Sequence, residues 1–241
     1  MAEYRQGRQS FILPDPPVIS AWASTAGKKE SEGPLSHAFD ITSQDTWFGQ
    51  RTWEQAERQL QRITLGKLAE KANMRMSDFD LVFSGDLLNQ CIGSSYSMRN
   101  TGIPHLGLYG ACSTMAEGLL LAAMTVCGGF ADQVVAMTSS HFASSERQYR
   151  FPLGYGGQRT PTAQWTVTGA GAFLVGNADD ADLPPTGAVI CGGMLATVCY
   201  NMFAAIMRAV GNSRAPLVFL VIASLLNVAL DLLFVVVLDA G

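Results

Sequence analysis

A chain of 241 residues with 16 Lys and Arg against 20 Asp and Glu, net charge −4, is long enough for one large domain or two small ones. It lacks the basic surplus of a general phosphate-backbone binder, so nucleic acid is not an expected partner. Five cysteines (Cys91, Cys112, Cys127, Cys191 and Cys199) form no C-x-x-C pair and no Cys/His cluster; this gives no support to a metal centre or a disulfide framework and predicts reduced thiols.

The first segment, MAEYRQGRQSFILPDPP, has an apolar run of only three residues, Phe11 to Leu13, before its prolines. That is too short for the apolar core of an export signal. AWASTAGKKESEGPLSHAFD reads as a polar surface loop, with Lys28 and Lys29 solvated and His37 structural. From Thr52 the chain changes character: Thr52 and Gln55 have capping-box spacing, and Ala56, Leu60, Ile63 and Leu68 recur near the helical period. The spacing predicts an amphipathic helix that covers a sheet.

Phe79 to Asp86 is a short buried strand, LLNQCIGSSYSMRN a helix, and IPHLGLYG a strand in which His105 is structural. STMAEGLLLAAMTVCGG follows as a helix apolar on nearly every face and ended by Gly128, then QVVAMTSS and TGAGAFLVG as two more buried strands. Strands that alternate with helices, and that are continuously apolar, predict an α/β domain with a parallel or mixed sheet covered by helices on both faces.

Cys112 falls where a strand hands over to the apolar helix. The free amides of a helix's first turn stabilise negative charge, so this position suits an activated thiolate or a bound carboxylate. It suits a packed structural thiol equally, because cysteine is among the most buried residue types. Spacing alone leaves nucleophile, binding-site floor and buried thiol open.

The motifs AGKKESEGPLSHAFD, RTWEQAERQL, DLVFSGDLLNQ, YGACST, GGFADQVVAMTSSH, ERQYRFPLGYGGQ and TVTGAGAFLV run in one order from about Arg8 to Gly176. This stretch resembles the N-terminal half of the stage V sporulation protein AD family, which has a thiolase-like fold. The resemblance implies a sporulation component that binds pyridine-2,6-dicarboxylic acid (dipicolinic acid), free or as its calcium chelate, and takes part in moving it into the developing spore. It implies further partners, the other dipicolinate-channel proteins of the spore and a second copy in a homodimer, and a location at the cytoplasmic face or membrane of the developing spore.

In the wider thiolase superfamily a cysteine at this junction accepts an acyl group, helped by a His or Asn from the second half of the fold. Cys112 matches that position. Residues 1–180 are expected to form one thiolase-like half domain without the second-half base, and a thiol without a base is a poor acyl acceptor. Binding is therefore expected in place of turnover, with no cofactor.

A flat dianion calls for forked guanidinium donors or a helix N-terminus, and an apolar wall. The candidates are Cys112, Ser113, His141, Arg147, Arg150 and Tyr155. The alternative for the arginines is pairing with Glu146 and with solvent.

The chain then passes through an acidic, proline-containing stretch, GNADDADLPPTG, and the charge nearly disappears: residues 183–241 hold two basic and two acidic side chains. Residues 181–187 are expected to be a linker or fusion junction, and 188–241 two transmembrane-type helices. YNMFAAIMRAVGNSRAPLVFLVIASLLNVALDLLF is similar to a segment of the multidrug and toxic compound extrusion transporters. In that reading Asp231 is a transmembrane acid, a candidate for a cation or proton site in an intact transporter. Arg208 and Arg214 place the loop between the helices in the cytoplasm. A 180-residue domain ahead of them would then need translocation, so the simplest expectation is a fused reading frame, and the alternative is a membrane-tethered binding protein.

Overall fold

The structure, a computed structural model, describes residues 4–6, 10–13, 15–149 and 166–177. All of them belong to the first of two compact units, Met1–Gly192; the second, Gly193–Gly241, lies outside the described residues. So do the junction at 181–187 and both expected membrane helices. Among the described residues no helix is long and apolar enough to cross a membrane.

Two short strands, β1 (Arg5–Gln6) and β2 (Ser10–Phe11), pair antiparallel near the start. Among the described residues the main sheet has six strands: β3 (Val18–Ala26), β4 (Ile41–Thr42), β5 (Leu81–Gly85), β6 (His105–Leu108), β7 (Val134–Ser140) and β8 (Gly169–Gly176). Their order across the sheet is β4-β3-β8-β7-β5-β6. Pairing is parallel for β3 with β4 and for β5 with both β6 and β7, and antiparallel where β8 joins β3 to β7. The sheet is mixed, as the alternating elements predicted.

Helix α1 (Lys28–Ser31) follows β3, and α2 (Trp53–Lys71) precedes β5. Thr52 caps α2: its Oγ1 accepts from the Gln55 amide, while Gln55 Oε1 reaches back to the amide of Arg51. This is the expected cap, with the return bond displaced by one residue. The C-terminal half of α2 buries Leu65, Leu68 and Ala69 against Ala21, Ala23, Val82, Val135, Met137 and Leu174 of the sheet. Burying each leucine contributes roughly 2 kcal/mol, and Leu68→Ala would cost about 2–5 kcal/mol because the neighbours cannot close the cavity fully.

Helix α3 (Ile92–Met98) lies beside α2, and Met98 joins the same core. Helix α4 (Thr114–Cys127) covers the opposite face, where Gly118 lies against Ala136, the β7 residue between Val135 and Met137. Helix α5 (Phe142–Tyr149) continues from β7. The two faces of β7 therefore pack on different helix layers, which accounts for its unbroken apolar run.

Two sequence expectations need correction. Residues 21–26, read as polar loop, form most of the longest strand. Ala21, Ala23 and Thr25 point inward, and only small side chains fit there beneath α2, so the inward face carries no large apolar residue to reveal it. Helix α4 is buried on one face only: Gly118, Leu119, Ala122 and Val126 are covered, while Leu120 and Met124 are 39% and 46% exposed.

Candidate functional site

Strands β3, β5, β6 and β7 all run the same way, so the segments that follow them meet at one edge of the sheet. In open α/β sheets this carboxyl edge is where loops and helix starts leave space for a ligand. Here it carries Asp86 after β5, Cys112 after β6, His141 after β7 and α1 after β3, and β8 begins there at Gly169.

The Cys112 segment is a tight helical turn, Ala111–Ser113, that leads into α4. Ser113 is pinned by its amide and hydroxyl, which both donate to the Gly110 carbonyl, at 3.0 and 2.8 Å, and the Gly110 amide donates to Thr114 Oγ1 at 3.1 Å. Ala111 is held at φ 49°, a left-handed conformation that costs a residue with a β-carbon about 1 kcal/mol or more. Gln90 and Cys91, after β5, are left-handed too, at φ 63° and 52°. Strained backbone at neighbouring loops of one edge is a mark of a site whose geometry is held by its surroundings. The Cys112 side chain is exposed. Cys91 is buried, its thiol donates to the Leu108 carbonyl, and burial pushes its pKa up, helped by Asp86 and Glu117.

Behind this edge lies a buried polar network that the sequence reading did not anticipate. Helix α2 presents Glu57, Gln61 and Thr64 inward, all fully buried. Gln61 Nε2 lies within donor reach of the Gly85 carbonyl, Ser94 Oγ and Ser139 Oγ, and Gln61 Oε1 accepts from Ser97. Glu57 accepts from Ser139 and is bonded to Ser144. Asp86, 1% exposed, accepts from the amides of Leu88 and Ser94 and from the Ser94 hydroxyl.

Burial lifts the Glu57 carboxyl from 4.5 to about 7; Asp86 and Glu54 add to the rise, and the serine hydroxyls oppose it. The spacing of Glu57, Gln61 and Thr64, one helical face at i, i+4 and i+7, was the available signal. It was hidden because Ala56, Leu60, Ile63 and Leu68 read as the whole inner face.

His141, one of the candidates, is fully buried. Its Nδ1 accepts from the Ala143 amide at 3.2 Å, so Nε2 carries the proton and donates to the Thr46 carbonyl at 2.9 Å. Burial lowers its pKa, against the pull of Thr46, Glu30 and Glu54, and the ring sits among Trp53, Phe48 and Phe142. Both nitrogens are engaged, so His141 meets a ligand only by giving up one of these bonds. His105 is half-buried on Ser84, 2.9 Å away, and burial lowers its pKa.

Beside His141 a cleft of about 370 Å³ is lined by Lys28, Lys29, Glu32, Thr46, Phe142 and Thr168. Cys112 and Ser113 stand at the start of α4. Arg147 belongs to α5, with its side chain outside the described residues. Arg150, Tyr155 and Asp231 lie outside them altogether. No group of His, Cys, Asp and Glu suited to a metal ion occurs among the described residues.

Residues 7–211 match the model of the stage V sporulation protein AD family. A stage V sporulation protein AD of Bacillus subtilis is 43% identical over 169 residues, which cover 70% of this chain and 50% of the relative. The chain thus spans half the length of that curated relative. Solved structures with a similar trace include OleA of Xanthomonas campestris (15% identity, TM-score 0.46, 68% of this chain and 57% of that one) and the priming β-ketosynthase of the R1128 polyketide pathway (18%, 0.41, 70% and 53%). A third is the 3-oxoacyl-[acyl-carrier-protein] synthase III of Aquifex aeolicus (14%, 0.42, 68% and 54%). These TM-scores are too low to assign a function. The transporter resemblance of residues 187–241 finds no support among these matches, and the family match itself continues through its first part, to residue 211.

Proposed function

Because the chain belongs to the stage V sporulation protein AD family, we propose that it is a dipicolinate-binding component of sporulation, built on the first half of a thiolase-like fold and working by binding without turnover. In this reading it takes part in dipicolinate uptake at the cytoplasmic face or membrane of the developing spore, together with the other dipicolinate-channel proteins and as a homodimer. The chain spans half of its curated relative, so the uptake role of the whole protein is part of the proposal.

One observation carries the binding site: the strained, exposed Cys112 turn at the start of α4 and the α5 helix that bears Arg147 leave the same edge of the sheet. Helix-start amides and guanidinium forks are the two groups that suit a flat dicarboxylate. Arg147, Arg150 and Tyr155 supply the forks and the wall, and Cys112 and Ser113 the floor. The preference for binding over catalysis rests on His141, whose nitrogens are both engaged away from the Cys112 turn.

Equilibrium dialysis of the purified chain against dipicolinate tests this directly. Saturable binding, weakened tenfold or more in Arg147→Ala and Arg150→Ala, is expected; unchanged affinity in both variants sinks the arginine assignment. A cysteine acyltransferase is the competing reading, favoured by the exposure of Cys112. Stable labelling of Cys112 by an acyl thioester would support it.

A further inference from the structure

The hydrogen bond between Ser144 and Glu57 Oε2 joins α5, the helix that carries Arg147, to α2. Both residues are buried. Glu57 Oε1 accepts from Ser139, near the end of β7, at 2.9 Å, so one side chain ties together α2, β7 and the helix that follows β7. Ser139 Oγ in turn accepts from Gln61 Nε2 at 2.8 Å. The same nitrogen lies 3.3 Å from the carbonyl of Gly85, the residue against which Thr114 at the start of α4 is packed. One face of α2, with Glu57 and Gln61 a turn apart, is thus bonded to the supports of both α4 and α5.

The start of α5 has two attachments to the sheet. The Phe142 amide donates to Thr168 Oγ1, just ahead of β8, at 3.0 Å, and Ser145 Oγ meets Ser140 Oγ, at the end of β7, at 3.0 Å. Two points leave a short helix free to rock about the line that joins them. Glu57 adds a third point from outside the sheet, because α2 lies on the sheet's face, and three points out of line fix an orientation. The tie does not depend on the Glu57 proton. A carboxylate accepts the Ser144 proton, and a carboxylic acid donates to Ser144 Oγ, whose own proton then goes to the His141 carbonyl 3.0 Å away.

Orientation matters for a helix that presents a guanidinium. A side-chain tip about 6 Å from a helix axis moves about 1.5 Å when the helix turns by about 15°. Forked pairing of a guanidinium with a carboxylate needs its groups held within about 0.5 Å. We propose that Glu57 is the positioning residue of the anion site: through Ser144 it fixes the orientation of α5, and with it the place from which Arg147 is presented to a dicarboxylate. This role rests on the function proposed above. Gln61 continues the same support to the opposite wall, through Ser139 and Gly85.

Two measurements on the full chain test this and keep the tie separate from the ligand assignment. Hydrogen exchange without dipicolinate reads the tie: in Ser144→Ala, residues 142–149 are expected to exchange about tenfold faster, with residues 53–71 and 114–127 unchanged. Unchanged exchange over 142–149, or faster exchange throughout the chain, overturns the proposal. Equilibrium dialysis reads the consequence. Ser144→Ala and Glu57→Leu are each expected to weaken dipicolinate binding about tenfold. Glu57→Gln, whose amide donates to Ser144 and whose oxygen accepts from Ser139, is expected to bind as the wild type does. On an Arg147→Ala background, Ser144→Ala should add no further loss, because the two changes act through one side chain. Equal losses with and without Arg147 would mark general loosening and overturn the positioning role. A wild type that binds no dipicolinate sinks the proposed function and the positioning role with it, while the exchange result still shows whether the tie holds α5. Should Glu57→Leu fail to fold, Ser144→Ala carries both measurements.

Discussion

Gly85, the last residue of β5, is packed directly against Thr114, the first residue of α4: a β-carbon on Gly85 would overlap Thr114 Cγ2 and the Leu108 carbonyl. The absence of a side chain at Gly85 is what lets β6 and the Cys112 turn close down on β5. Gly85→Ala is therefore expected to push this turn outward. Overpacking of this kind costs about 1–3 kcal/mol, to be read as a lower urea midpoint with unchanged m-value. A variant as stable as the wild type would show that the turn is held loosely.

Glu57 makes stability depend on pH in a stated direction. Its folded-state carboxyl is raised from 4.5 to about 7 by burial, so between those values the folded chain holds a proton that the unfolded chain has lost. The stabilisation is complete below about 4.5, is lost as pH rises through about 7, and is level above. Over that span the loss is roughly 3 kcal/mol. Urea unfolding at pH 4 and pH 8 measures it, and Glu57→Gln should remove this component from the difference. Identical pH profiles for variant and wild type would contradict it.

The two cysteines near the edge should differ in reactivity. Cys112 is exposed, whereas Cys91 is buried, donates its thiol proton to Leu108 and has its pKa pushed up. Under native conditions iodoacetamide is expected to alkylate Cys112 at least about tenfold faster than Cys91, as read by peptide mass spectrometry. Equal rates would mean that the β5–α3 segment opens readily.

Much of the architecture was legible because its signals were strong and local. The Thr52 cap, the Gly128 stop and the apolar strands at β5, β7 and β8 each follow from short-range chemistry. Strand β3 was not legible, since its inward residues are alanine and threonine and its selection depends on the close approach of α2. Nor was the polar inner face of α2: Glu57 and Gln61 look like solvent-facing residues until Ser139, 78 positions beyond Gln61, is brought beside both. Cys112 was identified as a strand-to-helix position from its flanks, but the left-handed backbone at Ala111, Gln90 and Cys91 belongs to non-glycine residues and left no mark in the sequence.

In the function proposed above, dipicolinate binds at the carboxyl edge, between the Cys112 turn and α5. Hydrogen exchange of the purified chain with and without saturating dipicolinate tests it most directly. Slower exchange is expected over residues 109–118 and 141–150, with β1 and β2 unchanged. No difference anywhere, or protection confined to other segments, would contradict it.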